Sequence, residues 1–367
     1  MKILLLGDAS NFHITLARAL RNLGHNVTLA SAGSMWMNTQ RDIDLQRRPG
    51  HIGTIRYAYT LAREIPKMRG YDIVQVHNPF FLTLKPQKLR PVLAYLKRFN
   101  GKLVYEALGT DPNYVKACTE CRLFRYSDFR IGWDQSPYAM ANKKEELEWL
   151  KPSMVSYTNH FVDTVDGIIA CLWEYYTTYQ ALGYPKLAYG GIPIETADIN
   201  YTPMSEAPEK VKMFIGIQRK RSMLKGTDVL LEAAQKIVAE MPELCELKIV
   251  ENMPYSDYVK ALEASHVMLD QIYSYTPATN ALLAMARGMV AVSGAEPEFY
   301  RLIGETENHP IINIDPRSLS DVETKLRKII ENRANLPTMS RNSREFVIKH
   351  NDSITVAKRH LDFWEKL

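Results

Sequence analysis

The sequence predicts an α/β protein made of two Rossmann-like domains with a cleft between them. Three observations carry this reading. Short apolar runs ending in glycine or a polar residue alternate with helix-length amphipathic segments, which is the pattern of a parallel sheet with crossover helices. The alternation stops at a Gly- and Pro-bearing stretch, 186–203, and then starts again. The chain, at 367 residues, is long enough for two domains of ordinary size. The expected domains are 1–195 and 196–343, with 344–367 a closing helix that packs back on the first.

KILLLGD opens the chain as a continuous apolar run, the mark of a strand buried on both faces. SNFHITLARALRNLGHN then reads as a helix. Ser10 or Asn11 can cap it, Phe12, Leu16, Ala19, Leu20 and Leu23 give it an apolar side, and Gly24 stands at its C-cap. NVTLAS completes a βαβ unit. YDIVQVH (71–77), GKLVYEAL (101–108) and DGIIACL (166–172) are further strands, and KPQKLRPVLAYLKRF (85–99) is an amphipathic helix. KLAYGGIPIETADINYTP (186–203) has little periodicity and reads as the linker. KVKMFIGI (210–217) begins the second series. The helix KGTDVLLEAAQKIVAEM and the strands CELKIV, SHVMLDQ and MVAVSG follow it, and the chain ends in helix.

Composition narrows the class. Hydrophobic residues at 46% and charged residues at 24% describe a globular protein. A net charge of +5 does not argue for nucleic acid, and it suits a protein that handles anionic ligands. Four cysteines (Cys118, Cys121, Cys171 and Cys245) are too few for a disulfide scaffold and fit a reducing cytoplasm. Gly7 and Asp8 end the N-terminal apolar run too early for a secretory signal, and no apolar stretch reaches the ~18 residues of a spanning helix. The expected location is therefore the cytoplasm, or the inner face of a membrane. In the second case the helix 85–99 would lie on anionic lipid through Lys85, Lys88, Arg90, Lys97 and Arg98; the alternative packs it on the sheet with that basic face in water.

No metal site is expected. Asp42 and Asp44 sit in a polar loop, the pair Cys118 and Cys121 lacks two further ligands nearby, and no HxxxH pair occurs. No cofactor is expected either, because GDASNFH after the first strand is not GxGxxG. The strongest local signal is FIGIQRKRSMLKGTD (214–228). There Arg219, Lys220, Arg221 and Lys225 stand between a strand end and a helix start, a setting for a phosphate or diphosphate. His13, in the first helical turn, either contacts a substrate or is a surface histidine.

With these motifs the chain resembles GT-B-fold glycosyltransferases, and among them the retaining glycosyltransferase family 4. NLGHNVTLAS looks like that family's first βα-β turn, and YDIVQVHNP like its strand ending in H-x-H. KGTDVLLEAAQKI is similar to its KG helix start, LLAMARGMVAVSG to its EAMA-x-G-x-P-V-V segment, and GAEPEF to the loop after it. The resemblance covers nearly the whole chain. It implies transfer of a sugar from a nucleotide diphosphate donor to a glycan, lipid-linked or other acceptor, with retention and without an obligatory metal.

In that picture Arg219 and Lys225 stabilise the leaving diphosphate and Glu298 meets the sugar hydroxyls. Gly216, Arg221, Gly226, Gly294 and Glu296 complete the donor side. Ser10, His13, His77, Glu106 and Asp111 stand on the acceptor side. The chain departs from the family where two glutamates eight positions apart are usual: here they are Tyr275 and Leu283. Leu108 stands where a sugar-contacting histidine is usual, and Ile217 follows Gly216 where an arginine is usual. Asp270, Gln271 and Asn280 are the candidate substitutes for the lost donor contacts. The missing acids also leave open a non-catalytic GT-B module that binds sugar nucleotide or glycan, or an epimerase of that fold.

Overall fold

A computed structural model describes residues 1–33, 40–251, 253 and 255–367, and all their side chains except those at 255, 256 and 319. The described residues form two compact units. The first comprises Met1–Lys116, Lys144–Pro193 and Ser353–Leu367, and the second Ala117–Lys143 and Ile194–Asp352.

Along the first unit run β1 (Lys2–Leu6), β2 (Asn26–Ser31), β3 (Ile43–Asp44), β4 (Ile73–Val76) and β5 (Lys102–Ala107). The segment 117–143 then carries a small hairpin, β6 (Arg130–Ile131) and β7 (Asp134–Gln135), that belongs to the second unit. The first unit resumes with β8 (Gly167–Ala170) and β9 (Leu187–Tyr189). Its seven strands pair in parallel in the order β3-β2-β1-β4-β5-β8-β9. Residues 3–6, 73–76 and 167–170 are buried without a break, as continuous apolar runs require of strands covered on both faces.

Local expectations change here, and the helix 85–99 takes the packed alternative. Neither Ser10 nor Asn11 caps the first helix, Phe12–Asn22: both take left-handed backbone, at φ 52° and 61°, and that turn brings Asp8 back to accept the His13 N–H at 2.9 Å. The beginning of the expected linker is β9, a three-residue edge strand on β8. The helix Pro86–Phe99 buries Leu89, Val92, Leu93 and Leu96 in the core, so its apolar side is not free for lipid. Asp42 and Asp44, expected in a polar loop, lie at the edge strand β3, which contains Asp44, and pair with Arg21 at 2.6 Å and Arg41 at 2.9 Å. All four cysteines are free, and no cluster of metal-ligating side chains occurs among the described residues.

The second unit holds β10 (Val211–Ile217), β11 (Cys245–Glu251), β12 (Val267–Leu269) and β13 (Val290–Val292), all parallel, in the order β11-β10-β12-β13. Met213 and Ile215 pack with Leu230, Ala234 and Ile237 of the helix Thr227–Glu240 and with Leu326 and Ile330 of the helix Leu319–Glu331. The C-terminal helical stretch is broken at Asp352 into Leu336–Asn351 and Ser353–Glu365, the latter in the first unit. Among the described residues no helix is long and apolar enough to cross a membrane.

Candidate functional site

In an open parallel sheet, ligands bind beyond the carboxyl ends of the strands where the strand order reverses. In the first unit that point lies between β1 and β4. A small cavity of about 130 Å³ opens there, lined by Gly7, Asp8, Tyr57, His77 and Phe80 among others. Ser10 is exposed beside it in sequence and His77 is partly buried at its wall. Asp8 is buried, and desolvation pushes its carboxyl up to about 6 although three backbone N–H groups pull the other way.

His13 and Glu106 lie beneath that surface, both fully buried. Burial, helped by the neighbouring His77, lowers His13 to about 3, so the imidazole is neutral. Its Nδ1–H donates to the Gly7 carbonyl at 2.6 Å, and its Nε2 accepts from Gln75 Nε2 at 3.3 Å. Gln75 Nε2 also donates to Glu106 Oε2 at 3.1 Å, and Trp364 Nε1–H donates to Gln75 Oε1 at 3.2 Å.

His360 Nδ1–H points at the Val356 carbonyl, 2.9 Å away, while Nε2 stands 2.7 Å from Glu106 Oε2. That short contact needs one proton, carried either by an imidazolium or by a protonated carboxyl. Burial raises Glu106 and the His360 charge offsets part of the rise. His13 is thus not a surface histidine, and it reaches no ligand as it stands. Asp111 is also buried. It accepts from the N–H groups of Asn113 (2.7 Å) and Tyr114 (3.0 Å) at the start of the helix Pro112–Thr119, and from the hydroxyls of Tyr105 and Tyr179, each at 2.8 Å.

In the second unit the order reverses between β10 and β12. Lys225, at the end of the helical turn Ser222–Lys225 that follows β10, and Asp270, just after β12, meet there at 3.2 Å, and the Ser293 hydroxyl donates to the other Asp270 oxygen at 3.3 Å. Gly226 makes this possible. It is left-handed (φ 72°), and a Cβ would stand 2.4 Å from the Ile272 side chain. Directly after it begins the 14-residue helix Thr227–Glu240, whose first N–H groups lack intrahelical partners.

The other cations of the loop do not converge on Lys225. Arg219 pairs with Glu251 at the end of β11, on the opposite side of β10, while Lys220 and Arg221 are exposed without an acidic partner among the described residues. Gly216 lies inside β10 under the Tyr258 ring, and Tyr258 accepts the Asn280 amide at 2.9 Å. Gln271 donates to Ser274 at 2.7 Å. Gly294 has to be glycine, since a Cβ would stand 1.9 Å from the Ser274 carbonyl oxygen.

Glu296 follows on that loop, Glu298 stands in the first turn of the helix Pro297–Ile303, and both are held by Arg125 of the segment 117–143. Its guanidinium reaches Glu296 at 2.7 Å and bonds Glu298 with its other Nη. Tyr126 and Asn313 donate to the second Glu296 oxygen at 2.6 and 2.8 Å. Tyr275 completes the cluster: Tyr126 stacks on its ring at 4.7 Å, the Arg125 guanidinium lies 5.1 Å over it, and its hydroxyl accepts the Arg125 N–H at 2.5 Å. Burial alone would raise Glu298, but the Arg125 bond and charge leave it below the ordinary carboxylate value. Arg125 and the two acids border a cavity of about 940 Å³ that extends past Tyr300, His309 and Arg317.

No protein-family model matches this chain, and no curated protein matches it in sequence. Solved structures do match it along its whole length. Anabaena HepE in complex with UDP-glucose is 12% identical, with a TM-score of 0.63 and 100% of both chains covered. Sucrose-phosphate synthase from Thermosynechococcus elongatus is 13% identical at a TM-score of 0.60, covering 100% of this chain and 99% of its own. UDP-GlcNAc 2-epimerase from Neisseria meningitidis bound to UDP-GlcNAc is 10% identical at 0.51, with both chains covered in full. The fold is GT-B.

Two Rossmann-like units, as expected from the alternating runs, therefore describe the chain. Within the GT-B framework the structure brings together Lys225, Gly226 and Asp270, sets Gln271 and Gly294 against Ser274, and joins Glu296 and Glu298 on Arg125. It sets Arg219 apart with Glu251, buries His13, Glu106 and Asp111, and engages Asn280 with Tyr258. The sequence reading missed Arg125 and Tyr126. Their signal was FRYSDFR (124–130), arginines interleaved with aromatics in a segment otherwise without periodicity.

Proposed function

We propose that the chain is a glycosyltransferase that takes a sugar from a nucleotide diphosphate donor bound to its second unit. The observation that carries this is Lys225, held by Asp270 at the switch point in front of the helix Thr227–Glu240. A diphosphate seated there meets an ammonium and the free N–H groups of a helix start, the fixed donors that stabilise charge on a leaving phosphate. Asp270 orients Lys225 and holds it away from bulk water; the Lys225 side chain retains 23% of its exposure for a ligand. Glu298 keeps 21% exposure beside Arg125, so one edge of its carboxylate can accept sugar hydroxyls.

The resemblance to family 4 supports retention, and Lys225 supplies the cation that makes a metal dispensable. UDP-sugars are the first donors to try, because fold neighbours hold UDP-glucose and UDP-GlcNAc. A second reading, a module that binds sugar nucleotide without turnover, is favoured by the Arg125 grip on both acids and by Tyr275 and Leu283 at the positions of the usual glutamates. The test is incubation with a panel of sugar nucleotides, with and without EDTA. Nucleoside diphosphate released in both supports the transferase, binding without release supports the module, and recovery of an altered sugar supports an epimerase.

A further inference from the structure

The helix Gly50–Glu64 of the first unit buries Gly53, Tyr57, Leu61 and Glu64, a narrow stripe at spacings of four and three that faces its own core. A second apolar stripe runs along the opposite side. Ile52, Ile55 and Tyr59, also at spacings of three and four, are 69%, 71% and 67% exposed. A helix that is polar outside needs only its inner stripe; the outer one costs solubility unless something covers it.

Charge says what covers it. Between residues 45 and 69 the chain has six cations (Arg47, Arg48, Arg56, Arg63, Lys67 and Arg69) against one acid, Glu64. Glu64 is already shared by Arg63 at 2.6 Å and Lys67 at 3.0 Å. Asp44, which feels the Arg48 charge, is paired with Arg41 at 2.9 Å. Among the described residues neither Arg48 nor Arg56 forms a direct ion pair, and Arg48 reaches Asp44 only through its charge. On the helix, Arg56 and Arg63 flank the stripe one step round from Ile52, and Arg47 and Arg48 stand just before its start.

We infer that this face docks on an anionic lipid surface. Ile52 and Ile55 enter the boundary between headgroups and acyl chains, Tyr59 sits at the headgroup level, and the arginines meet lipid phosphates while their stems lie along the apolar layer. The helix Pro86–Phe99, whose basic pattern looks similar in sequence, lacks the free apolar stripe and does not take part.

The inference is independent of the donor reading and fails or stands by itself. The measurement is co-sedimentation of the whole chain with phosphatidylglycerol–phosphatidylcholine vesicles and with phosphatidylcholine alone. The wild type binds the anionic vesicles, and added salt releases part of it by screening the arginines. The double variant Ile52→Glu/Ile55→Glu and, separately, Arg47→Glu/Arg56→Glu each lower the bound fraction roughly tenfold or more, since each removes one of the two terms such helices depend on. All four sites are exposed, so the melting temperature stays within a few degrees. Lys88→Glu/Arg98→Glu leaves binding unchanged. Absence of wild-type binding, retention of binding in both double variants, or an apolar-stripe-dependent dimer in size exclusion without vesicle binding overturns it.

Discussion

At Arg125 one guanidinium meets two carboxylates and the face of a phenol ring. Replacing it by alanine leaves the buried Glu296 with Tyr126 and Asn313 only, and leaves Glu298 with no full partner. The group is partly exposed, so the loss at pH 7 is set at about 1–3 kcal/mol by denaturant unfolding. Because Glu298 is held below its ordinary value, the stability it contributes is present above about pH 4.5 and fades as pH falls through the lowered value. The Arg125→Ala penalty therefore shrinks in acid.

Asp8 behaves in the opposite sense. Its folded value of about 6 lies above the 3.8 of the free side chain, so the folded state takes up a proton that the unfolded chain has released. Stability is highest below the free value and is lost as pH rises through about 6. Asp8→Asn keeps an N-cap acceptor and removes the buried charge. It is expected to gain about 1–3 kcal/mol at pH 7.5 and nothing at pH 3.5, measured by unfolding at the two pH values.

The elements themselves show what a sequence can and cannot announce. Strands buried on both faces were legible because an unbroken apolar run such as ILLL has few other uses. The edge strand β9 was not, since its half-buried Leu187–Tyr189 runs straight into Gly190 and Gly191. The cap of the first helix was missed because two consecutive left-handed residues let an acid four places before the helix fold back onto it. The segment 117–143 was missed because it interrupts the first unit in sequence and packs in the second. Its Arg125–Glu298 contact spans 173 residues, and nothing local signals that.

The C-terminal helix Ser353–Glu365 is anchored by a polar group of the same long-range kind. His360, fully buried, shares a hydrogen bond with Glu106 at 2.7 Å. Changing His360 to alanine strands Glu106, which already has one oxygen without a partner. A loss of about 3–5 kcal/mol follows if the broken pair behaves as buried pairs do. Circular dichroism melting of the variant, with His360→Gln as the milder change, checks it. A loss under about 1 kcal/mol means that the contact is not desolvated as the structure has it.

Across the whole molecule two parallel sheets repeat one plan, a strand-order reversal with a loop and a helix start beyond it. The two reversals are furnished differently. The first holds a small cavity beside Asp8 and His77 over a chain of buried hydrogen bonds, and the second holds Lys225 and Asp270 before a long helix. That difference supports the proposal that the donor binds the second unit. The motif KGTDVLLEAAQKI pointed to this place, but the Asp270 partner comes from 45 residues further on and only the fold supplies it. The central claim is tested most directly by titrating UDP into the wild type and Lys225→Ala in a calorimeter. The account predicts that the wild type binds, and that the variant binds more weakly by about 1.5–3 kcal/mol, the worth of a hydrogen bond to a charged group. Equal affinity of the two proteins, or no binding of UDP or any other nucleoside diphosphate by the wild type, contradicts it.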